Sequence, residues 1–176
     1  PIKADLGLSD AQIGVLTGFA FSLTYALFGV PLARITDTGN RVRLLAVCMA
    51  VWSMATAFAG LVTNFVQMVL TRIVVGIGEA GGCPASNSLI GDLYSPETRT
   101  RGMSWMQMSI AAGSWLGLIA VGYVAQEHGW RAAFFAMGAP GLVVAALIWF
   151  TMPEPQRGRF TNRASAPPAP PNWLMA

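Results

Sequence analysis

Long apolar stretches alternate with short polar segments along the whole chain. Four of these stretches contain charge-free runs, and a fifth holds one arginine and one glutamate among apolar residues. Each comes close to or exceeds the roughly 20 residues that an α-helix needs to cross the hydrocarbon core of a bilayer. The pattern predicts five membrane-spanning helices, at residues 11–33, 43–62, 65–92, 97–126 and 131–152.

Composition favours a membrane protein over a soluble one. Hydrophobic residues make up 54% of the chain and charged residues only 11%. A soluble domain usually carries about 25% charged residues, because it must cover its surface with polar groups. We therefore expect an all-α integral membrane protein.

Basic residues are distributed unevenly between the two sides of the predicted spans. Eight of the eleven Lys and Arg residues lie on one side, against Lys3 and Arg131 on the other. The eight are Arg34, Arg41, Arg43, Arg99, Arg101, Arg157, Arg159 and Arg163. By the positive-inside rule, loops 34–43 and 93–101 and the tail 153–176 are expected in the cytoplasm, with the protein in a bacterial inner membrane.

Three predicted helix starts carry capping signals. They are Ser9 with Gln12, Asn64 with Gln67, and Ser95 followed by Pro96 and Glu97. A side-chain oxygen at the N-cap accepts a hydrogen bond from a free backbone N–H of the first turn, and proline is well tolerated at the first helical position.

The chain opens at Pro1 with an expected extracytoplasmic segment, so the first predicted span runs inward. We expect an outward span before it, and thus a fragment that lacks one helix. Residues 1–155 would form a partial six-helix half. Residues 156–176, rich in Pro and Ala, would form a cytoplasmic linker that leads into a further helix.

The charged pair in the third span is the strongest candidate for chemistry. Arg72 and Glu79 are seven residues apart, which places them about 20° apart around a helix and roughly 10 Å apart along it. Ser86 continues the same stripe. Charges at membrane depth are costly and usually functional, so the stripe is expected to line a central cavity where Glu79 binds and releases a proton. The alternative is a structural ion pair between helices.

Small residues and a proline mark candidate sites of helix packing and bending. Pro84 removes a backbone hydrogen bond inside the third span and predicts a kink or hinge. Glycines allow helices to approach closely in membranes. The candidates for such packing are Gly76, Gly78, Gly113 and Gly117.

Two motifs carry a resemblance to a known family. The segment Arg72-Ile-Val-Val-Gly76-Ile-Gly78-Glu79 resembles the helix-four motif of the major facilitator superfamily, and the acid after the second Gly is similar to its Spinster-like branch. Residues 33–43 resemble that family's cytoplasmic gating loop. Asp37, Arg41 and Arg43 match the loop in type, whereas Ala33, Thr38 and Asn40 replace a Gly, a basic residue and a Gly.

The resemblance implies helices 2–6 of a 12-helix fold and secondary active transport by alternating access. It further implies proton coupling and a lysophospholipid or sphingolipid-like cargo, with an organic-anion or drug carrier as the alternative within the family. The expected partners are substrate, protons, the bilayer, the missing first helix and the C-terminal half. No cofactor, metal or nucleic acid is expected.

Two other classes of function are weighed against transport. A structural or receptor helix bundle would use Arg72 and Glu79 only for stability. An enzyme is not expected, because the single histidine, His128, lies in a loop without a cluster of acid, base or metal-binding residues.

Overall fold

The computed structural model describes residues 2–160, and within that range every regular element is helical. The predicted start of a further helix at 172–176 lies outside the described residues. We number the helices α1 to α6 in chain order. They are α1 (Ile2–Asp5), α2 (Asp10–Thr38, with a π-helical turn at Val15–Phe19), α3 (Arg41–Phe58, extended by a 3₁₀ turn at Ala59–Leu61), α4 (Phe65–Leu93), α5 (residues 99–128) and α6 (residues 130–151).

A single backbone break separates α5 from α6. The helical run Arg99–Thr151 would be about 80 Å long if straight, far more than a bilayer core of about 30 Å. At Gly129 the dihedrals are φ 81° and ψ 164°, which a residue with a side chain rarely adopts. The chain therefore turns there. Five spans result, and the expected all-α membrane fold is confirmed.

The connection between α2 and α3 is shorter than the sequence predicted. Residues 34–38 continue α2, and α3 begins at Arg41, so only Gly39 and Asn40 lie between the helices. Asn40 caps α3, since its side chain accepts a hydrogen bond of 2.7 Å from the N–H of Arg43. The predicted loop 34–43 is thus mostly helix.

Two of the predicted helix starts have the expected caps. Ser9 and Gln12 form reciprocal side-chain to backbone hydrogen bonds of 2.9 and 3.2 Å, and Asn64 accepts from the N–H of Gln67 at 2.9 Å.

The third predicted start was wrong. The carbonyl of Ser95 accepts hydrogen bonds from the N–H groups of Thr98 and Arg99, which closes a turn, and regular helix begins only at Arg99.

Buried side chains form two clusters toward opposite ends of the spans. One cluster joins α2, α3, α4 and α6 at the end where α3 connects to α4, and it includes Leu16, Met68 and Trp130. The other joins α3 and α4 near the α2–α3 connection and includes Val42, Ala85 and Leu89. α5 exposes large apolar side chains, such as Trp105 and Trp115, as suits a surface in contact with apolar surroundings.

Two glycines of α4 lie where neighbouring helices approach most closely. A Cβ atom on Gly76 would lie 3.0 Å from the carbonyl oxygen of Phe21 on α2. A Cβ on Gly78 would lie 2.9 Å from the backbone nitrogen of Trp52 on α3. The described residues bring no atom within 4 Å of a Cβ at Gly113 or Gly117.

We expect Gly78→Ala to destabilise the protein by about 1–3 kcal/mol, because the added methyl group would collide with the α3 backbone. The measurement is denaturant-induced loss of helicity in detergent, using the full-length gene product that carries this chain. Gly113→Ala is the matched control, with an open site. Equal losses in the two variants would contradict this account of the α3–α4 contact.

Candidate functional site: an intramembrane charged pair and a charge cluster around Arg41

Arg72 and Glu79 lie two turns apart on α4, and both are partly buried. Neither belongs to an ion pair among residues 2–160. Instead, the Arg72 guanidinium lies over the ring of Phe134 on α6, 5.4 Å from its centre. This cation–π contact offsets only part of the cost of holding a cation at this depth. The side chains of Arg72 and Glu79 can therefore form ion pairs with other charged groups.

The predicted stripe on α4 is divided between two cavities. Arg72 lines a cavity of about 620 Å³ near the end where α3 connects to α4, together with Lys3, Thr56 and Phe134. Ser86 lines a different cavity, of about 630 Å³, near the end of α4 and the start of α5. Glu79 lies between these two positions along α4. The first cavity combines the Arg72 cation with apolar walls, a combination suited to an anionic group on an apolar body, whereas the ammonium of Lys3 is already paired with Asp10.

The structure adds a residue to this site that the sequence analysis did not select. Tyr25 of α2 lies beside α4, since a Cβ atom on Gly76 would lie 3.5 Å from its backbone nitrogen. Its ring packs at a tilt against Phe21, with 5.7 Å between ring centres. A lone tyrosine in an apolar span gave no signal by itself.

The region around Pro84 combines a buried and an open face of α4. The helix continues through Pro84 to Leu93. Ala85 is fully buried, whereas the neighbouring Cys83 is exposed and accepts a weak hydrogen bond of 3.5 Å from the amide of Asn87. The expected hinge at Pro84 stays a prediction.

Arg41 is the centre of a second cluster of charges, at the helix ends beside the α2–α3 connection. Its side chain is 1% exposed. The guanidinium forms an ion pair with Asp92 at the end of α4 and donates at 2.7 Å to Glu154, which follows α6. It also donates to the hydroxyl of Ser88 at 3.1 Å and to the carbonyl of Pro155 at 2.8 Å.

The three residues that the sequence placed together in a gating loop have separate surroundings. Arg41 is buried, whereas Arg43 is exposed and lies 5.7 Å from the ring centre of Trp149. Asp37 is exposed, and its carboxylate joins no ion pair within residues 2–160. Residues 41 and 43 are about 200° apart around a helix, so they point to opposite sides of α3.

Glu154 also caps α3. Its second oxygen accepts a hydrogen bond of 2.9 Å from the N–H of Val42, at the positive end of that helix. Burial opposes ionisation of Glu154, but this backbone hydrogen bond and the guanidinium of Arg41 outweigh it and hold the pKa of the carboxyl below its usual value. The acid is therefore expected to be ionised at neutral pH.

A smaller charge cluster lies at the opposite end of the helices. Asp5 accepts hydrogen bonds from Arg131 at 2.5 Å and from the indole of Trp130 at 3.1 Å. These two bonds, that of Arg131 first, lower the pKa of Asp5. Arg131 also donates to the carbonyl of Val62 at 3.3 Å. Together they connect α1 and the α3–α4 turn to the start of α6.

Within residues 2–160, no group of three His, Cys, Asp or Glu side chains could hold a metal ion. Four helical runs are long and apolar enough to cross a membrane, and the last of them is divided at Gly129. The fold defines a multi-pass helical membrane protein with charged side chains inside a span.

The chain belongs to the Major Facilitator Superfamily, whose family model matches residues 1–175. It is 39% identical, over 84% of its length, to an MFS-type efflux pump of Mycolicibacterium smegmatis. It is 32% identical, over 86% of its length, to a probable L-galactonate transporter of Escherichia coli. The chain spans 34% and 33% of these two proteins, or about a third of the length of the curated relatives it matches.

A solved structure supports the branch as well as the family. The crystal structure of a bacterial homologue of the human lysosomal transporter Spinster, in an inward-facing and occupied conformation, matches with a TM-score of 0.82 and 36% identity. The match covers 92% of this chain and 40% of that one. The expected resemblance to Spinster-like members is confirmed, and the family is one of transporters rather than enzymes.

We expect Arg41→Gln to cost about 3 kcal/mol of unfolding free energy, because it leaves Asp92 and Glu154 without their shared cation. Arg43→Gln is the control and should cost less than about 1 kcal/mol, since Arg43 is exposed. Denaturant unfolding of both full-length variants in detergent measures the difference. A similar loss for the two arginines would refute the central role of Arg41.

The lowered pKa of Glu154 predicts that the stability of the folded protein changes with pH in the acid range. Its pKa is lowered in the folded protein, so its ionised form contributes stability above its ordinary pKa, and this contribution disappears as pH falls through the lowered pKa. We expect Glu154→Gln to be less stable than the wild type at pH 7, and the difference to shrink as pH falls below the ordinary carboxyl pKa value of 4.5. Glu127→Gln, at an exposed position of α5, should show no such closing gap in melting temperature.

Proposed function

We propose that this chain is part of a secondary active transporter that works by alternating access. The observation that carries the proposal is the presence of Arg72 and Glu79 on one helix, inside a membrane span, without an ion pair between them. Charged groups at this depth are expensive and are retained where they bind ions or substrate. Transporters place such groups near the middle of the membrane, between moving parts.

Glu79 is the group proposed to couple transport to protons. A carboxylate in a partly buried, apolar setting can change protonation when the cavity opens to one side or the other. Arg72 would attract ionised Glu79 in one state and release it in another. Membership of a transporter family supports this cycle, and the similarity to a Spinster homologue described as occupied is consistent with a central binding site.

The proposed cargo is a lysophospholipid or a sphingolipid-like amphiphile. The Arg72 cation and the apolar walls of the 620 Å³ cavity suit a molecule with an anionic group and an apolar body.

An organic anion is the second candidate, favoured by Arg72 and by the similarity to a probable L-galactonate transporter. A drug substrate is a third, given the similarity to an efflux pump.

We infer the setting of the transporter from charge and resemblance. Loops 34–43 and 93–101 and the tail 153–176 would face the cytoplasm of a bacterial cell, because eight basic residues lie on that side. Residues 1–155 would belong to a six-helix half that is completed by a further helix and joined by a linker to a second half.

We expect Glu79→Gln to abolish accumulation of lysolipid driven by an imposed pH gradient in proteoliposomes of the full-length protein. Exchange of labelled for unlabelled substrate at equal pH should persist, because the variant can still bind and reorient. Glu127→Gln, an exposed acid on α5, serves as control. An unchanged pH dependence in Glu79→Gln would reject proton coupling through this residue.

If the protein does not transport lysolipid and binds L-galactonate-type organic anions instead, the proposed lipid cargo is wrong and an organic anion takes its place in the proposal. A purely structural role predicts a different pattern. Glu79→Gln would then reduce the amount of folded protein but leave flux per folded molecule unchanged.

A further inference from the structure

We propose that Arg157, in the segment that follows α6, is the positioning residue that fixes the turn between α2 and α3. The last turn of α2 contains no basic residue. The final carbonyl groups of a helix lack partners within the helix and carry a partial negative charge, which a cation can stabilise. Arg157 supplies that cation from a point more than 100 residues further along the chain.

The geometry of the contact is specific. One nitrogen of the guanidinium donates to the carbonyl of Asp37 at 2.7 Å, and another donates to the carbonyls of Thr36, also at 2.7 Å, and Gly39. Thr36 itself is buried. A planar guanidinium can direct several N–H groups at once, whereas a lysine ammonium is a compact point charge. The contact therefore depends on the arrangement of these carbonyl groups as well as on their partial charge.

The neighbours of Arg157 hold its backbone in place. The N–H of Gly158 donates at 3.0 Å to Asp92, whose other oxygen is paired with Arg41. Gly158 has φ 66°, a conformation that favours glycine. Three residues before Arg157, Glu154 caps α3. Residues 154–158 thus lie against the cytoplasmic ends of α2, α3 and α4.

This arrangement changes where the linker begins. The sequence predicted a linker from residue 156, but Arg157 and Gly158 are bound to the α2–α3 turn and to α4. Thr38, in the last turn of α2, carries no positive charge, and its hydroxyl donates to the carbonyl of Arg34. Arg157 therefore supplies the cation at this helix end from outside the turn.

The consequence for transport rests on the proposed function. If the α2–α3 turn and the start of the linker move together, loss of Arg157 should slow reorientation of the two halves without altering substrate affinity. A merely superficial contact would behave differently. Exposed charge contacts often contribute nothing measurable, and removal of Arg157 would then have no more effect than removal of another exposed arginine.

The test uses the full-length protein and Arg157→Gln, with Arg159→Gln as matched control. Arg159 is also exposed and contacts only the ring of its neighbour Phe160 among the interactions of the described residues. We expect Arg157→Gln to increase amide hydrogen exchange at residues 36–43 about tenfold and to lower the maximal transport rate about threefold, with KM unchanged. Arg159→Gln should change neither.

A second-site variant separates positioning from general stability. Thr38→Arg in the Arg157→Gln background places a cation in the last turn of α2 and should restore both slow exchange and transport rate. Arg157→Lys should restore less, because it lacks the planar fork. Unchanged exchange in Arg157→Gln, or no rescue by Thr38→Arg, would overturn the proposal. Exchange is measured without transport, so the result stands even if the proposed cargo or proton coupling is wrong.

Discussion

One buried guanidinium organises the helix ends beside the α2–α3 connection. Arg41 begins α3, pairs with Asp92 at the end of α4 and binds Glu154 just after α6. A cation with 1% exposure is tolerated only when its hydrogen bonds are satisfied and its charge is balanced, and here two carboxylates, a hydroxyl and a carbonyl do so. Through Asp92 and its bond to Gly158, the same network extends to the segment that holds the end of α2.

The intramembrane pair on α4 contrasts with this network. Arg41 has its partners within the described residues, whereas Arg72 has only the face of Phe134 and Glu79 has no ion pair there. A satisfied cluster stabilises one arrangement of helices. Charges with incomplete compensation respond to protons, substrate or a neighbouring helix, because a new partner lowers their free energy substantially. α4 thus carries a paired acid in its last turn, Asp92, and two incompletely compensated charges further from that end, Arg72 and Glu79.

Close helix packing sets the distances on which both clusters depend. Gly76 brings α2 against α4 beside Tyr25, and Gly78 brings α3 against α4. Because α4 is in close contact with α2 and α3, a displacement of α4 would also displace these two helices. The break at Gly129 then allows α6 to return along α3, which places Phe134 over Arg72. Close packing at Gly76 and Gly78 and the backbone break at Gly129 therefore determine which groups surround Arg72 and Glu79.

The sequence by itself determined the five spans, the caps at Ser9 and Asn64 and the location of Arg72 and Glu79 within a span. These follow from hydrophobic length and short-range hydrogen bonding, which are local properties of the chain. It could not show that Arg41 and Arg43 face opposite ways, nor that Glu154 and Arg157 complete the α2–α3 turn from more than 100 residues away. Those contacts depend on how the helices pack. Only the tertiary structure decided which charges are satisfied, because partners distant in sequence leave no periodic pattern that a local reading can detect.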